Sequence, residues 1–573
     1  TDDISNYRLV LAVPLPVKFE RSSMAFASAS LRGCPSNIIL CSNRPFTGLY
    51  FGEGQDPYAL IHEGAQFAAS VWYENDYYND DWMTLLSTKK SHLCKALGWC
   101  SWNAFYTDVT GVRVVDAVHK LRAEHGIPIR WMILDDGWQD TTTPHHSLKD
   151  GEQWSHRLKS IKEHPTKFAD LTLRDTVQKL KSDCHIEAVL VWHTLAGYWL
   201  GLDESLFDVD LQFPRFSRGI VDNDWSVSRE ASVSKGIGLP KDPIQFFRLY
   251  HEFLVSCGVN GVKVDAQGII GTLQSKQMVD TEASSAVLAL QGALAQSPIQ
   301  RSDRGAGIIH CMAHAPEIFF RLPSLSGRHS LAALFRAADD FYPNNQASHA
   351  AQMVACVFNS LLLRSLVCPD YDMFSTNLIA GEKSVRMHAI SRCLSGGPVY
   401  ISDAPGSLLN REVISWLCCS DGTTMPCRDS SVPIRRCLLH DPLNGSQSFV
   451  ICNTNGGPTS ITSGILGIFF LSGGGDWDKT ALNYLPNKVV CDSVENTCIH
   501  VSAGDVPSLF KLSCSRFLAT CFFSECVAIL NSLEETMELC LSQGQSESVA
   551  FLPLLKVGRL EIATLGIQGR ING

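Results

Sequence analysis

Over residues 95–430, short apolar runs that end in polar or aromatic residues alternate with amphipathic helical stretches. In one such stretch an apolar stripe follows Thr110, begins at Val114 and stops at Gly126, which is the pattern of a helix. There are eight apolar runs, the number of strands in a closed parallel barrel with helices outside. They are 96–101, 131–135, 187–192, 261–265, 307–311, 331–336, 366–369 and 398–402. The pattern therefore predicts an α/β fold, a (β/α)₈ TIM barrel.

The segments on either side of this region have a different pattern. Short strand-like runs separated by Pro, Ser, Asn and Gly fill the first ~55 residues, and a helical pattern follows from Pro57 to about Val71. Short strands with Gly, Asn and Ser turns return after about residue 430. We predict an N-terminal β-rich region with a linking helix (1–94), the catalytic barrel (95–430) and a C-terminal β-sandwich (431–573).

Composition narrows the classes of partner. The net charge of −10 argues against nucleic acid and anionic membranes, because both are bound by basic patches. No apolar run reaches the ~18 uncharged residues needed to span a bilayer, and TDDISNYRLV does not resemble a secretory signal. The 21 cysteines are odd in number and scattered, so we expect buried thiols in a reducing compartment. We predict a cytoplasmic protein, with the plastid as the other candidate.

The run 261–265 (GVKVD) carries the most informative pair of charges. Alternation along a strand sends Lys263 and Asp265 to the same face, here the barrel interior. A nearby cation keeps a carboxylate ionised, as a glycosidase nucleophile must be. Two other interpretations stay open from this pattern: a structural ion pair, and a Schiff-base lysine at Lys263 as in barrel aldolases.

Two further strand ends carry paired acids. Asp339 and Asp340 follow Arg336, and one of them could be a general acid whose protonation depends on its neighbours; a helix N-cap is the alternative. Asp135 and Asp136 end the second run and could accept hydrogen bonds from two sugar hydroxyls; a divalent cation site is the alternative.

Tryptophans are concentrated in the same part of the chain. Eight of the 12 lie between Trp99 and Trp225, and five of these stand at or just after proposed strand ends. Although a single tryptophan is more often part of a core, five at one rim favour a saccharide site. Phosphate-loop, dinucleotide, HExxH and GxSxG motifs do not occur, so we predict no cofactor and no metal.

Several motifs in a fixed order resemble glycoside hydrolase family 36, in the branch of plant raffinose synthases and alkaline α-galactosidases or seed imbibition proteins. The motifs are LGWCSWNAFYTDV (97–109), WMILDDGWQ (131–139), VLVWHTLAGYW (189–199), GVKVDAQ (261–267), RAADDFYP (336–343), PDYDMF (369–374) and SGGPVYISDAPG (395–406). The family usually has Trp where Tyr371 stands. It also has a longer N-terminal part, so the β-rich region here is expected to be incomplete.

The resemblance implies a retaining double displacement on an α-galactoside. Asp265 would attack the anomeric carbon, and Asp339 would act as the acid–base catalyst, with Asp340 as the alternative. The other expected roles concern binding. Asp135 and Asp136 would bind galactose hydroxyls, Lys263 would hold a hydroxyl and the nucleophile, Arg336 would lie over the 2-hydroxyl, and Trp99, Trp192 and Asp372 would line the pocket.

The branch of the family is predicted from the spacing after the DDF motif. Synthase-type relatives tend to carry an insertion there that this chain lacks, which favours hydrolysis of raffinose-family α-galactosides or galactinol. The alternatives are transfer of galactose from galactinol to sucrose, and an inactive sugar-binding relative. The expected partner is thus an α-galactoside oligosaccharide, with sucrose as a candidate acceptor.

Overall fold

We describe the fold from a computed structural model of the chain. The residues described are 9–15, 17–18, 24–25, 29–34, 37–42, 48–54, 56–71, 90–142, 153–214, 232, 234–274, 282–301, 307–322, 333–377, 381–407, 409–456, 463–478, 483–485, 496–512, 514–563 and 571.

Eight parallel strands form one curved sheet, and each of them coincides with a predicted apolar run. In chain order they are β1 (Leu97–Cys100), β2 (Trp131–Leu134), β3 (Ala188–Thr194), β4 (Gly261–Asp265), β5 (Gly307–His310), β6 (Leu334–Arg336), β7 (Cys368–Asp370) and β8 (Val399–Ile401). The sheet order is β7-β6-β5-β4-β3-β2-β1-β8. A parallel bridge from Phe374 to Ile401, with the Ser402 amide 2.9 Å from the Phe374 carbonyl oxygen, joins the segment after β7 to β8. The predicted (β/α)₈ barrel is confirmed.

Helices follow the strands as the pattern predicted. The first begins after Thr110, whose hydroxyl accepts a hydrogen bond from the Arg113 amide at 3.2 Å, and the chain turns at Gly126 with φ 64°. The helices after β1 to β8 are Gly111–His119 (continued by a π-helical turn, Lys120–Glu124), Leu173–Ser182, Pro243–Ser256, Glu282–Ala295, Pro316–Phe319, Gln346–Leu363, Glu382–Ser395 and Arg411–Leu417. Pro298–Arg301 is a further short helix before β5.

The barrel interior is filled rather than open. Trp131 is the largest side chain of the inner cluster, and its indole nitrogen donates to the Ala96 carbonyl at 2.8 Å. Its ring lies against Gly98, where an added Cβ would be 2.3 Å from the ring. Because the lower interior is occupied by apolar side chains, space for chemistry remains at the carboxyl ends of the strands.

The N-terminal region is β-rich, as predicted. Its strands are Leu9–Leu15, Val17–Lys18, Met24–Ala25, Ala29–Cys34, Asn37–Ser42 and Gly48–Gly54, followed by the helix Pro57–Val71. That helix contacts the paired strands Leu9–Leu15 and Gly48–Gly54 on one side and the barrel helix Gln346–Leu363 on the other.

The C-terminal region is antiparallel β structure, as predicted. A six-stranded sheet contains Val432–Pro433, Phe449–Asn455, Ser463–Phe469, Ser546–Pro553, Phe517–Cys521 and Val527–Leu530 in that order. Three two-stranded ribbons accompany it: Asp476–Asp478 with Asn483–Leu485, Asn496–Ser502 with Thr536–Ser542, and Leu555–Val557 with Leu560–Ile562. The domain boundaries at 94/95 and 430/431 stay predictions.

The cysteines divide into two groups. Thirteen of the described cysteines are buried free thiols, in line with the expectation from the sequence. Cys498 and Cys540 lie directly opposite each other on paired strands and form a disulfide, which the scattered cysteine pattern did not predict. Within the described part of the chain, no helix combines the length and the apolar character needed to cross a membrane.

Candidate functional site

Asp265 lies at the carboxyl end of β4 with both carboxylate oxygens occupied. Oδ2 accepts a hydrogen bond from the Trp192 indole nitrogen at 2.9 Å, and Oδ1 accepts one from the Ala266 amide at 2.7 Å. Ala266 has φ 50°, a conformation uncommon for a residue with a Cβ, which turns its N–H back toward the carboxylate. Burial raises the pKa of Asp265, and the nearby Lys263 cation offsets part of that effect. The carboxylate is therefore held in one orientation.

Lys263 forms its salt bridge with a different acid from the one expected. Its Nζ lies 2.8 Å from Asp135 Oδ2, and both side chains are almost fully buried. Burial acts to lower the pKa of Lys263, but the surrounding groups, of which Asp135 has the largest effect, together raise that pKa well above its usual value. A Schiff-base lysine must lose its proton to react, so this environment argues against the aldolase interpretation. The observed ion pair, with Asp135 in place of Asp265, links β4 to the end of β2 across the barrel.

Asp136 accepts hydrogen bonds from two aromatic side chains of the segment after β3. Tyr198 donates its hydroxyl to Oδ1 at 2.8 Å, and Trp199 donates its indole N–H to Oδ2 at 2.9 Å. Burial raises the pKa of Asp136 to about 7, although these hydrogen bonds favour the charged form. Tyr198 was not predicted as a site residue; the motif 189–199, which ends in GYW, was the available signal.

The tryptophans at the rim have two different environments. Trp99, Trp138 and Trp192 are buried, and the indole nitrogens of the first two donate to the carbonyls of Asp403 (3.0 Å) and Trp192 (2.8 Å). Trp102 and Trp199 keep part of their surface exposed. Trp192 thus orients Asp265 directly, while Trp99 is bonded to the segment after β8.

Arg336 at the end of β6 connects two acids. Its Nη2 lies 3.0 Å from Asp340 Oδ1 and 3.0 Å from Asp372 Oδ2. Asp372, at φ 69°, also accepts from the Phe341 amide at 2.8 Å and from the Tyr400 hydroxyl at 3.2 Å. Arg336 Nε is buried and has no hydrogen-bond partner among the described residues.

The adjacent acids Asp339 and Asp340 differ in environment. Asp339 accepts from the Asp340 amide at 2.8 Å and from the Tyr342 hydroxyl at 3.3 Å, and desolvation and then the charge of Asp340 raise its pKa to about 6. Burial acts to raise the pKa of Asp340, but Arg336 and Lys263 lower it below its usual range. Neither acid caps the next helix, because its N-cap residue is Asn345. The N-cap interpretation of this motif is wrong.

These side chains meet at one end of the barrel. Asp265 feels the charge of Lys263 and of Asp340, and Lys263 contacts Asp135. An oriented carboxylate with a second carboxyl group nearby is the arrangement that retaining glycosidases use. Further buried groups at this end were not predicted, among them Cys100 (thiol 3.3 Å from Asp135 Oδ2), Cys311 (3.5 Å from Arg336 Nη1) and Tyr400 (hydroxyl 2.9 Å from Asp370 Oδ2).

Side chains of the types that bind metals are grouped outside the barrel mouth. Among the described residues, the group of three potential ligands that lie close together is Cys498, Glu538 and Cys540 in the C-terminal region, and two of these form the disulfide. The acids of the barrel mouth have protein donors or cations as partners instead, as Asp135 and Asp136 show.

Comparison with known proteins gives one family match. The family described as "Raffinose synthase or seed imbibition protein Sip1" matches residues 43–572. Probable galactinol–sucrose galactosyltransferase 6 of Arabidopsis thaliana is 32% identical over 429 residues, 73% of this chain and 54% of that protein. The galactinol–sucrose galactosyltransferase of Pisum sativum is 28% identical over 567 residues, 91% of this chain and 67% of that protein. Stachyose synthase of Pisum sativum is 24% identical over 91% of this chain and 70% of that protein.

The chain covers only part of the length of its relatives. The chain spans about half the length of two Arabidopsis relatives, 54% and 52%. Among solved structures, α-galactosidase I of Mortierella vinacea aligns with a TM-score of 0.49 at 12% identity, over 80% of this chain and 97% of that one.

Proposed function

Because the chain belongs to the raffinose synthase and seed imbibition protein family, as its motifs indicated, we propose that it transfers α-linked galactose through a covalent galactosyl-enzyme. The observation that carries this proposal is the Asp265 carboxylate, held by Trp192 and Ala266 at the end of β4 and facing Lys263 and Asp340. Water is the first proposed acceptor and sucrose the second.

Asp265 is proposed as the nucleophile. An attacking carboxylate must be ionised and must keep its orientation, because misalignment by even 1 Å slows such a reaction. Two N–H donors hold Asp265, and the cation of Lys263 favours its charged form. As Asp265 attacks the anomeric carbon, the leaving oxygen takes a proton from the acid–base residue and departs. The acceptor then attacks the galactosyl ester, gives its own proton to that residue and releases the Asp265 carboxylate.

The acid–base catalyst is proposed to be one of the pair Asp339 and Asp340. Asp340 is supported by its position, because its charge acts on Asp265 and it shares Arg336 with Asp372. Asp339 is supported by its pKa of about 6, which keeps it protonated in mildly acidic solution. Since position is the stricter requirement, we rank Asp340 first and keep Asp339, the residue preferred from the sequence, as the alternative.

Binding of the galactose ring is proposed for the remaining charged groups. Asp135 and Asp136 would accept hydrogen bonds from vicinal hydroxyls, with Lys263 donating to one of them. Arg336 would use its unpaired Nε toward the 2-hydroxyl, and Asp372 keeps the guanidinium in place. Trp99 and Trp192 would form the wall of the pocket.

The acceptor is the finer part of the proposal. The short passage after Asp340 favours hydrolysis, whereas relatives such as the Pisum sativum galactinol–sucrose galactosyltransferase are named for transfer to sucrose. Both reactions use the same galactosyl-enzyme, and only the acceptor that reaches it differs. A cytoplasmic location remains a prediction.

The nucleophile is tested with Asp265→Asn. We expect normal folding and a fall of several orders of magnitude in turnover of galactinol or raffinose, because the amide cannot form the glycosyl ester. Chromatography of products with and without sucrose measures the rate and identifies the acceptor. The matched control is Asp421→Asn, an exposed aspartate, which should leave turnover unchanged. Turnover of Asp265→Asn at the wild-type rate would disprove the assignment, and saccharide binding without turnover by the wild type would indicate the inactive relative.

Asp339→Asn and Asp340→Asn distinguish the acid–base catalyst. Fluoride leaves from α-galactosyl fluoride with little need of a proton, so the variant lacking the acid should release fluoride quickly yet cleave raffinose slowly. Added azide should then give α-galactosyl azide with that variant, because the nucleophile is intact. If Asp339 is the acid, wild-type kcat/KM for raffinose should fall above pH about 6 as its proton leaves, and Asp339→Asn should remove that limb.

A further inference from the structure

The C-terminal region reaches the barrel mouth through a ribbon whose role the proposed reaction does not explain. The ribbon pairs Asp476–Asp478 with Asn483–Leu485, and Tyr484 is the central residue of its second strand. It contacts the barrel helix Gln346–Leu363, which begins just after the acids Asp339 and Asp340. The cluster of three consecutive glycines, Gly473–Gly475, leads into this ribbon.

The glycines of that cluster allow a close approach between the two domains. The Gly475 amide donates to the Ala347 carbonyl at 3.1 Å. A Cβ at Gly475 would lie 2.3 Å from the same carbonyl oxygen, and one at Gly474 would lie 3.1 Å from Ala350 Cβ. Any side chain at Gly475 would therefore push the ribbon away from the first turn of the helix.

The first turn of that helix also holds the loop that carries the acids. The Asn345 amide and His349 Nε2 both approach the Tyr342 carbonyl, at 3.1 Å and 2.9 Å. Asn345 Nδ2 donates to the Tyr484 carbonyl at 3.4 Å. Tyr342 and Tyr484 are thus held by one short stretch of chain, although 142 positions separate them in the sequence.

Two phenols therefore lie near Asp339. Tyr342 is 41% exposed and donates its hydroxyl to Asp339 at 3.3 Å, and Tyr484 is half-buried. Burial and then the charge of Asp339 raise the pKa of Tyr484, which indicates that this ring is close enough to feel the carboxylate. Aromatic faces and phenol hydroxyls next to a carboxylate suit a neutral, hydroxyl-rich ligand.

We propose that Tyr484 of the C-terminal region, together with Tyr342 and Asp339 of the barrel, forms the subsite that holds the saccharide leaving group and the incoming sugar acceptor. The inference rests on the proposed galactosyl transfer at Asp265 and extends it to the other half of the substrate. The galactose ring lies toward Asp135 and Asp136, whereas the second sugar lies on the side of Tyr342 and Tyr484.

The test compares two donors with the full chain. Raffinose carries a sugar leaving group that occupies this subsite, whereas α-galactosyl fluoride carries only fluoride. We expect Tyr484→Phe to raise KM for raffinose by roughly three- to tenfold, the equivalent of one hydrogen bond, and to leave kcat/KM for the fluoride unchanged. Transfer to added sucrose, measured against free galactose, should fall by the same factor.

Two controls separate the phenol from the fold of the ribbon. Leu485→Ala alters the neighbouring exposed side chain, which points to the opposite face of the strand. This variant should change neither KM for raffinose nor kcat/KM for the fluoride. Gly475→Ala should raise KM for raffinose like Tyr484→Phe, whereas Gly292→Ala, where a Cβ meets nothing within 4 Å, should have no effect.

The outcomes are distinct. The proposed subsite would be disproved if Tyr484→Phe lowered kcat/KM equally for raffinose and for the fluoride, or if neither Tyr484→Phe nor Gly475→Ala changed KM for raffinose. Either result would leave the proposed chemistry at Asp265 intact. Absence of fluoride release by the wild-type protein would instead overturn the proposed function, and this inference with it.

Discussion

The cations Lys263 and Arg336 at the barrel mouth each pair with an acid that follows another strand. Lys263 of β4 pairs with Asp135 after β2, and Arg336 of β6 pairs with Asp340 and Asp372. Buried charges are tolerated only when paired, and removing one member leaves the other uncompensated. The pairs therefore keep the carboxylates in place for sugar binding and also make the site sensitive to substitution.

Lys263→Met should lower the free energy of unfolding by about 3–5 kcal/mol, because Asp135 would remain buried without its cation. Chemical denaturation followed by tryptophan fluorescence measures this change. The control is Lys241→Met, which removes the exposed pair with Asp208 (2.6 Å) and should have no measurable effect. An equally small loss in both variants would show that the Lys263–Asp135 pair is not needed for stability.

The loops after β6 and β7 are held by the helices behind them and by the C-terminal region. Tyr371 is fully buried, and its hydroxyl contacts Ser431 Oγ at 2.9 Å and accepts from the Ser360 hydroxyl at 3.2 Å. This hydroxyl thus joins the loop after β7 to the helix Gln346–Leu363 and to the start of the C-terminal sheet. Asp372, the next residue, depends on that loop to reach Arg336.

Tyr371→Phe should destabilise the protein by about 1 kcal/mol, since two buried hydroxyl partners lose a hydrogen bond. Thermal unfolding would detect it as a lower melting temperature. Tyr106→Phe, at a position 46% exposed, is the control and should melt like the wild type. A melting temperature of Tyr371→Phe equal to that of the wild type would mean that the hydroxyl adds nothing to the contact between loop and sheet.

The chain as a whole joins a barrel rich in buried thiols to a C-terminal region that carries a surface disulfide. Cys498 and Cys540 are exposed and close a loop with a sequence separation of 42 residues, far from the acids of the barrel mouth in the sequence. Because the strands Asn496–Ser502 and Thr536–Ser542 are also paired by backbone hydrogen bonds, the ribbon does not depend on the disulfide alone for its register.

Replacing both cysteines (Cys498→Ser with Cys540→Ser) should lower the stability of the C-terminal region by about 2–4 kcal/mol, because the unfolded segment gains freedom. Fluoride release from α-galactosyl fluoride at 25 °C should be unchanged. Calorimetry and that assay, run on the same preparation, give both quantities. A loss of fluoride release without a change in the calorimetric transition would contradict this division of roles.

The order of strands and helices, the barrel and the acids at its strand ends could all be read from the amino-acid pattern. That information is local: period-two runs such as 261–265, the helix capped by Thr110, and acids that follow buried runs need no knowledge of the fold. The motifs also indicated the family, since each motif is a continuous stretch of the chain.

The partners that lie on other strands could not be read from the chain, because they depend on how the strands are arranged around the barrel. Alternate strands supply one interior layer, so β2, β4 and β6 bring Asp135, Lys263 and Arg336 together across 201 positions of sequence. Lys263 consequently pairs with Asp135 and not with Asp265, two residues away. The same three-dimensional packing brings Tyr484 against Asn345, at the start of the helix that follows Asp339, and no local pattern in the chain encodes that contact.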